Sequence, residues 1–113
     1  MSNVFNHPRA LKHDEILGII KRFGNTAYIA KKAGFTGVQI HAAHGYLINQ
    51  FLSPYHNKRN DAWGGSLENR MRFLMEVYHE IRRRTGEKFP IAVKLNSADF
   101  QRGGFTEEDS MKV

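Results

Sequence analysis

The sequence predicts an α/β fold in which helices alternate with parallel strands along a chain of 113 residues. Two short apolar runs, at 38–43 and 91–95, predict strands, and the first has the length and the β-branched residues of a buried strand. Before each run lies a longer segment whose apolar residues recur at spacings of three and four, which is typical of an amphipathic helix. A short connection that contains glycine joins each helix to its strand. The repeated order of helix, turn and strand therefore favours a parallel sheet with crossover helices.

Length and composition predict a single small domain that spans residues 1–113. Hydrophobic residues make up 41% of the chain and charged residues 25%, which is usual for a soluble globular protein. No apolar run reaches the roughly 18 residues of a membrane span, and the first residues lack the pattern of a signal peptide. Cysteine is absent, which excludes disulfides, thiolate metal sites and cysteine nucleophiles within the chain. We therefore expect a cytoplasmic protein without a membrane partner.

The net charge of +6 suits an anionic cofactor or a nucleic acid in principle. The basic residues, however, are dispersed, and their two short clusters at 31–32 and 82–84 fall late in the predicted helices. Cations in that position stabilise the helix dipole, which explains the clusters without any ligand. No nucleic-acid partner is therefore expected.

The first helix follows an irregular lead-in and is expected to open at Asp14 and Glu15, which place acidic side chains in its first turn. No good N-cap residue precedes them. Gly34 ends the helix as a C′ residue. Gly18 and Gly24 weaken it, each by about 1 kcal/mol relative to alanine. The predicted apolar stripe comprises Ile16, Ile20, Phe23, Ala27 and Ala30.

The first strand and the turn after it carry the residues that most resemble a site. Side chains alternate along a strand, so Gln39 and His41 point away from the apolar face. That apolar face comprises Val38, Ile40 and Ala42. His44 and Tyr46 follow on the turn that leaves the strand. Because ligands of parallel α/β proteins bind at the carboxyl ends of strands, two imidazoles and a phenol gathered there predict a site.

The connection from 43 to 65 is far longer than the roughly 2–6 residues usual in α/β proteins, and long connections are often functional. Its aromatic and aliphatic residues favour order, with a short helix at 45–52. Ser66 is a good N-cap for the second long helix, and Gly86 ends it. The predicted stripe of that helix comprises Leu67, Met71, Leu74, Tyr78 and Ile81.

In the second strand, at 91–95, the side chains of Ala92, Lys94 and Asn96 are expected to share one face. The opposite, apolar face comprises Ile91, Val93 and Leu95. A lysine on an otherwise apolar strand is unusual, which makes Lys94 a candidate site residue. After a further loop, residues 106–109 resemble a capping box that starts another helix.

Four blocks of sequence, in order and at natural separations, resemble the old yellow enzyme family. They lie at 37–54, which reads GVQIHAAHGYLINQFLSP, and at 57–61, 63–73 and 94–100. The resemblance covers nearly the whole chain from Pro8 onward. Members of the family are FMN-dependent NAD(P)H:flavin oxidoreductases with a TIM-barrel fold. The resemblance therefore implies a partial (β/α)8 TIM barrel of about two βα units, since a whole barrel needs about 250 residues and eight strands. The two strands would be the fourth and fifth of such a barrel.

The resemblance implies a role for each of four side chains. His41 and His44 resemble the histidine pair that hydrogen-bonds the carbonyl oxygen of the substrate, which is stabilisation of the oxyanion-hole type. Tyr46 resembles the proton donor to the α-carbon, because a phenol is protonated at neutral pH and can act as an acid. Lys94 takes the place of a cation, most often arginine, beside the flavin ring, where lysine keeps the charge but loses the bidentate fork. The implied activity is that of an ene-reductase with FMN as cofactor, NAD(P)H as reductant and an activated alkene or carbonyl compound as substrate.

Each candidate also has a plainer interpretation. The spacing of His41 and His44 can mark a zinc site, but no carboxylate or cysteine in the run completes it, so no metal is expected. Taken alone, His41 suits a core histidine, Tyr46 a packing residue and Lys94 a side chain that snorkels from an edge strand. A structural role, without catalysis, is expected for the residues that join the long connection to the second helix, namely Arg59, Asp61, Trp63, Asn69 and Arg70.

Two classes of function stay open. The first is an FMN-dependent oxidoreductase of which this chain is a barrel segment, inactive alone because most strands and the phosphate loops of the barrel are missing. The second is a non-catalytic α/β fragment that only associates with itself or with complementing barrel pieces. Because the free edges of a two-stranded sheet pair readily with another chain, self-association is expected of the isolated segment.

Overall fold

The computed structural model describes residues 7–113, and its elements follow the predicted order. An irregular stretch at 7–12 leads into the first helix, while the expectations that concern residues 1–6, including that about a signal peptide, lie outside the described residues. The elements are α1 (His13–Lys32), β1 (Val38–Ala42), α2 (Leu47–Leu52), α3 (Leu67–Thr85), β2 (Ile91–Leu95) and α4 (Glu107–Lys112). The predicted α/β class is thus confirmed. None of the helices within 7–113 has both the length and the apolar character that crossing a membrane requires.

The sheet consists of β1 and β2, which are parallel and joined by the crossover that contains α2 and α3. Its register places Val38 opposite Ile91 and His41 opposite Lys94. Along β1 the apolar side chains turn inward, with Ile40 only 2% exposed, whereas His41 turns outward. The alternation predicted for the first strand is therefore correct.

The start of α1 is held by its first acidic turn. Glu15 Oε1 accepts the backbone N–H of the N-cap residue Lys12 at 3.0 Å, and Arg9 donates to both carboxylate oxygens at 2.9 and 2.6 Å. The hydrogen bonds from Arg9 first, and then from the Lys12 N–H, lower the pKa of Glu15 to about 2. At the other end Gly34 has a φ of +98°, the left-handed conformation expected of a C′ residue.

The ends of α3 are also those predicted. Ser66 Oγ accepts the N–H of Asn69 at 3.2 Å, and Gly86 at the C-cap has a φ of +89°. Arg82 Nη1 donates to the carbonyls of Gly86 and Phe89 at 2.9 and 2.6 Å. At least one cation of the 82–84 cluster therefore serves the end of the helix, in line with the structural explanation of these charges.

The hydrophobic core lies between α1, α3 and the inner side of β1, and α2 closes one end of it. Phe73 of α3 is fully buried, and its ring centroid lies 4.5 Å from that of Phe51. The ring also stands edge-on to Phe23 at 6.3 Å and to Trp63 at 6.5 Å. The buried members of the core are Ile16, Ile20, Ala27, Ile40, Ala42, Ile48, Phe51, Leu52, Trp63, Phe73, Leu74, Val77, Ile81 and Phe105.

The buried face of α3 differs from the predicted stripe. Leu74 and Ile81 are buried as expected, but the most deeply buried apolar side chains are Phe73 and Val77, which the stripe omitted. The remaining members are only half-buried, and they are Leu67, Met71 and Tyr78. Because α1 contacts α3 on one side and α2 contacts it on another, the buried arc is wider than one stripe and is turned toward Phe73.

Gly24 of α1 has a packing role that the sequence analysis did not foresee. A Cβ added there would lie 2.6 Å from Glu80 Cγ on α3, which is closer than real carbon atoms approach. Gly24 is itself buried, whereas Phe23 and Ala30 of the predicted stripe are half-buried. Gly24 therefore permits the close contact of α1 with α3, and it is not merely a weak point of the helix.

The apolar face of β2 is less covered than predicted. Val93 is 42% exposed, and its neighbours Ile91 and Leu95 are half-buried. Among the described elements β2 pairs only with β1, and the contacts of the short helix α2 with the sheet fall on β1. The prediction of a buried strand is therefore correct for β1, whereas the apolar face of β2 is exposed at its centre.

Side-chain hydrogen bonds tie the long connection to the first residue of α1 and to the stretch before it. Arg59 binds Asp61 through Nε and Nη2 at 3.1 and 2.7 Å, and its Nη1 donates to the carbonyl of Leu11 at 2.8 Å. Trp63, only 3% exposed, donates its indole N–H to His13 Nδ1 at 2.9 Å. These contacts fit the structural role that was expected of Arg59, Asp61 and Trp63.

A second set of hydrogen bonds ties the connection to α3. Asn69 Nδ2 donates to the carbonyl of Gly64 at 3.0 Å. Arg70, which is buried, donates through Nη1 to the carbonyl of Leu52 at 2.5 Å and through Nε to that of Gly65 at 3.2 Å. Both side chains thus satisfy backbone carbonyls of the connection before α3, and Arg70 also satisfies that of the last residue of α2, which again fits a structural role.

Candidate functional site

The four predicted site residues lie on the face of the sheet that the helices leave open, at its carboxyl end. His41 is the penultimate residue of β1 and stands in register with Lys94 of β2. The ring centroids of His41 and His44 are 5.3 Å apart with an interplanar angle of 78°, and Tyr46 is 5.0 Å from His41. The fold therefore brings two imidazoles, a phenol and an ammonium group to one surface.

This surface is open and carries a free cation. The side chains of His41, His44, Tyr46 and Lys94 are all exposed, Tyr46 by 57%. Within 7–113, Lys94 takes part in no ion pair. A positive charge beside groups that donate hydrogen bonds favours a ligand with negative charge or carbonyl oxygens.

The histidine pair lacks the partners of a metal centre. In the part of the chain that the structure describes, no group of three or more His, Cys, Asp or Glu side chains is placed to hold a metal ion. Zinc sites use three or four protein ligands, whereas His41 and His44 supply two. Two neighbouring imidazoles are better suited to donate hydrogen bonds to one oxygen atom of a ligand.

The turn after β1 sets the direction of His44 and Tyr46. His44 and Gly45 have φ angles of +59° and +76°, and Tyr46 is the N-cap of α2. The helix predicted from residue 45 therefore begins two residues later, at Leu47. A left-handed conformation is uncommon for residues other than glycine, even though histidine adopts it more readily than most, so contacts that hold this turn matter for its shape.

Two asparagines supply such contacts. Asn96 Oδ1 accepts the backbone N–H of His44 at 3.1 Å, and Asn49 Oδ1 accepts that of Gly45 at 2.7 Å. Asn96 Nδ2 also donates to Asn49 Oδ1 at 3.2 Å. The sequence analysis assigned neither asparagine to the site. The one signal in the sequence was the position of Asn96, two residues after Lys94 and so on the same side of the strand.

Asp99 connects the asparagines to the loop after β2. Its Oδ1 accepts from Asn96 Nδ2 at 3.3 Å and from Asn49 Nδ2 at 3.5 Å, and its Oδ2 accepts the N–H of Phe105 at 2.8 Å. Burial raises the pKa of Asp99, but the nearby Ser53 hydroxyl and the hydrogen bonds from Phe105 and the asparagines outweigh burial and leave this pKa below its ordinary value. Ser53 Oγ makes no hydrogen bond of regular geometry within 7–113. Asp99 is therefore ionised at neutral pH.

A groove lies beside His41 at the free edge of β1. Its volume is about 510 Å³, and α1 forms its opposite wall. Its apolar lining includes Ile19, Phe23, Ala27, Val38 and Ile40. Among the described residues, no strand pairs with the backbone of β1 along this β1 edge groove, so its shape suits a further strand.

The sequence of the whole chain, residues 1–113, matches the family described as NADH:flavin oxidoreductase / NADH oxidase. An NADH-dependent flavin oxidoreductase of Aspergillus parasiticus is 42% identical over 113 residues, which are 100% of this chain and 26% of that protein.

Two solved structures share the arrangement of helices and strands. The complex of 2-naphthoyl-CoA reductase with 2-naphthoyl-CoA superposes with a TM-score of 0.90 at 43% identity, over 92% of this chain and 16% of that one. Morphinone reductase in complex with tetrahydroNAD gives a TM-score of 0.80 at 39% identity, over 92% of this chain and 28% of that one. The superpositions confirm the predicted partial TIM barrel. The chain spans between 16% and 28% of the lengths of these three proteins.

Proposed function

The chain belongs to the NADH:flavin oxidoreductase / NADH oxidase family, in agreement with its resemblance to old yellow enzymes. We therefore propose that it is a barrel segment of an FMN-dependent ene-reductase that uses NAD(P)H. The substrate is an alkene activated by a carbonyl group. The observation that carries the proposal is the gathering of His41, His44 and Tyr46 at ring separations of 5.3 and 5.0 Å, on the surface that also bears Lys94. A cytoplasmic location completes the proposal, supported by a sequence without cysteine.

In this proposal His41 and His44 bind the carbonyl oxygen of the substrate. Their rings are exposed and their centroids lie 5.3 Å apart, so both imidazoles are near enough to bind a single oxygen. Hydrogen-bond donors fixed before the reaction stabilise the negative charge that develops on such an oxygen. They therefore lower the energy of the transition state more than that of the bound substrate.

Tyr46 donates the proton that the α-carbon of the alkene receives. Its ring lies 5.0 Å from that of His41, and more than half of the side chain is exposed, so a substrate held by the histidines is within reach of the hydroxyl. FMN, when bound, supplies the reducing equivalents for this reaction. The phenol acts as the general acid that completes the reduction.

Lys94 holds the flavin ring in this proposal. The fit is supported by its ammonium group, which has no ion-pair partner within 7–113, and by its register position opposite His41. A cation on that face attracts the oxygen- and nitrogen-rich edge of a flavin and favours its negatively charged form. The same side chain therefore serves both the affinity for the cofactor and the ease of its reduction.

A second candidate function, association without catalysis, is favoured by the two edges of the sheet that no other strand within 7–113 covers. The β1 edge groove lies where a neighbouring strand packs in a barrel, and Val93, 42% exposed, lies on the face of the sheet that bears Ile40 and is left uncovered within 7–113. A second copy of the chain can cover both. The isolated chain is then a colourless oligomer. Light scattering and visible absorbance test this, and a yellow or a monomeric chain would contradict it.

The enzymatic proposal is tested by grafting residues 7–113 into morphinone reductase in place of the matching segment. We expect this chimera to oxidise NADH with an unsaturated ketone as acceptor. Tyr46→Phe should slow alkene reduction by about 10²–10⁴-fold, the usual effect of a general acid, while the reduction of FMN by NADH stays nearly unchanged. Tyr55→Phe, which removes another exposed phenol, is the matched control and should affect neither step.

Stopped-flow measurement of the two half-reactions separates the outcomes. If Tyr46→Phe slows both steps equally, the tyrosine packs against or orients the flavin, and its role as acid is wrong. A folded chimera that binds FMN but reduces no activated alkene would contradict the proposed function as a whole.

A further inference from the structure

We propose that Asn96, Asn49 and Asp99 form a positioning network that fixes the direction of the His44 imidazole, so that the loop after β2 controls a side chain on the loop after β1. The importance of His44 for substrates rests on the proposed function, but the network itself rests only on contacts within the chain. The side chains of the three residues bind one another and the backbone of the turn. They act through the turn that carries His44.

The turn needs an external hold because its backbone conformation is unfavourable. His44 and Phe100 are the two non-glycine residues within 7–113 that have a positive φ, at +59° and +55°. The left-handed region brings the Cβ of such a residue close to its own backbone. A hydrogen bond from the N–H of His44 to the fixed acceptor Asn96 Oδ1 compensates for this strain. Without that acceptor the turn is free to relax.

The backbone donors fix the orientation of both side-chain amides. Asn96 must turn Oδ1 toward the N–H of His44, so its Nδ2 faces Asn49 Oδ1 at 3.2 Å and Asp99 Oδ1 at 3.3 Å. Asn49 must turn Oδ1 toward the N–H of Gly45, so its Nδ2 faces Asp99 at 3.5 Å. Both amide nitrogens are then within hydrogen-bonding distance of the Asp99 carboxylate, and Asn96 Nδ2 also donates to Asn49 Oδ1. The network has a single consistent arrangement. If the amide of either asparagine were rotated, its Nδ2 would face the backbone N–H of His44 or Gly45, and two donors would meet.

The carboxylate that receives these donors is anchored to the core. Asp99 and Phe105 exchange two hydrogen bonds of 2.8 Å, from the Asp99 N–H to the Phe105 carbonyl and from the Phe105 N–H to Asp99 Oδ2. The Phe105 side chain is only 1% exposed, and Asn49 is 3% exposed. The network therefore runs from a rigid interior to an exposed histidine. Such a link transmits the position of the β2 loop to His44.

The test is NMR of the full 113-residue chain with Asn96→Ala, compared with Asn60→Ala as a control at an exposed asparagine. In Asn96→Ala we expect the His44 amide to exchange with solvent about tenfold faster, the effect of one lost hydrogen bond. We also expect the His44 ring signals to shift, while core amides around Phe73 keep their protection. Asn60→Ala should change none of these.

Asp99→Asn provides a second variant that keeps the size of the side chain. It should also shift the His44 ring signals, and its effect should not add to that of Asn96→Ala, because both variants break one network. Unchanged His44 signals in a folded Asn96→Ala or Asp99→Asn chain would overturn the proposal. An equal loss of protection at every amide would also overturn it, since the asparagine would then act on global stability alone.

These readouts need neither flavin nor substrate. If the chimera is inactive but the network variants still shift the His44 signals, the proposed function is contradicted and the proposed network is supported. If the His44 signals do not shift but the chimera is active, the network is contradicted and the proposed function is supported.

Discussion

Gly18 and Gly24 of α1 form a matched pair whose substitutions should have different effects. Alanine is favoured over glycine inside a helix by about 1 kcal/mol. At Gly18 an added Cβ meets nothing within 4 Å. Gly18→Ala should therefore raise the free energy of unfolding by about 1 kcal/mol, the full difference in helix propensity.

At Gly24 the same methyl group meets α3. Its Cβ would lie 2.6 Å from Glu80 Cγ and 3.3 Å from Arg84 Cγ. Glu80 cannot swing aside freely, because its carboxylate accepts two hydrogen bonds from Arg83, at 2.7 and 2.9 Å. Overpacking costs about 1–3 kcal/mol, which cancels or exceeds the gain of about 1 kcal/mol in helix propensity. Gly24→Ala should therefore leave stability unchanged or lower it by up to about 2 kcal/mol.

Urea unfolding followed by circular dichroism measures both variants, at one fixed protein concentration because association changes apparent stability. Glu80→Ala introduced together with Gly24→Ala should restore the gain seen at Gly18, because it removes the carbon that the methyl group meets. If Gly24→Ala alone stabilises the chain as much as Gly18→Ala does, the close approach of α1 to α3 is wrong.

Three further predictions concern the site and its support. In the chimera with morphinone reductase, His41→Ala combined with His44→Ala should weaken the binding of a phenol by about tenfold or more, because the hydrogen-bond donors to the phenol oxygen are lost. Titration of the flavin absorbance measures this affinity, and an unchanged affinity would contradict the carbonyl-binding role. Lys94→Met should lower the midpoint potential of bound FMN, because a cation beside the reduced ring is lost, and an unchanged potential would leave Lys94 as a snorkelling side chain. Folding lowers the pKa of Asp99, so this carboxylate contributes stability that is present above its unfolded pKa of about 3.9 and is lost as the pH falls below that value. The urea midpoint should therefore fall less steeply between about pH 6 and pH 3 in Asp99→Asn than in the parent chain, whereas parallel curves would refute the assignment.

The elements of this fold could be predicted from the sequence because local signals mark their ends. Gly34 and Gly86 adopt the positive φ angles that end α1 and α3, and Ser66 caps α3 through its hydroxyl. The apolar run of β1 has the alternation that its burial confirms, with His41 on the open face. The TIM-barrel fold was predicted from the four blocks of family resemblance, because two short strands alone do not indicate a barrel.

What the sequence did not show depends on contacts between elements. Nothing local distinguishes Gly24, which lies against Glu80, from Gly18, which lies in the open. The burial of Phe73 requires contacts with both α1 and α2, so a single stripe at helical spacing missed it. Asn49 and Asn96 are 47 positions apart, and only the parallel pairing of β1 with β2 brings their amides together.

The central claim is that the surface with His41, His44, Tyr46 and Lys94 is part of a flavin site. Its most direct test is the visible absorbance of the purified chimera after gel filtration, beside unmodified morphinone reductase handled in the same way. We expect a folded yellow protein that retains stoichiometric FMN, and we expect Lys94→Met to lose part of that FMN. A folded but colourless chimera, under conditions in which the unmodified enzyme stays yellow, would contradict the claim.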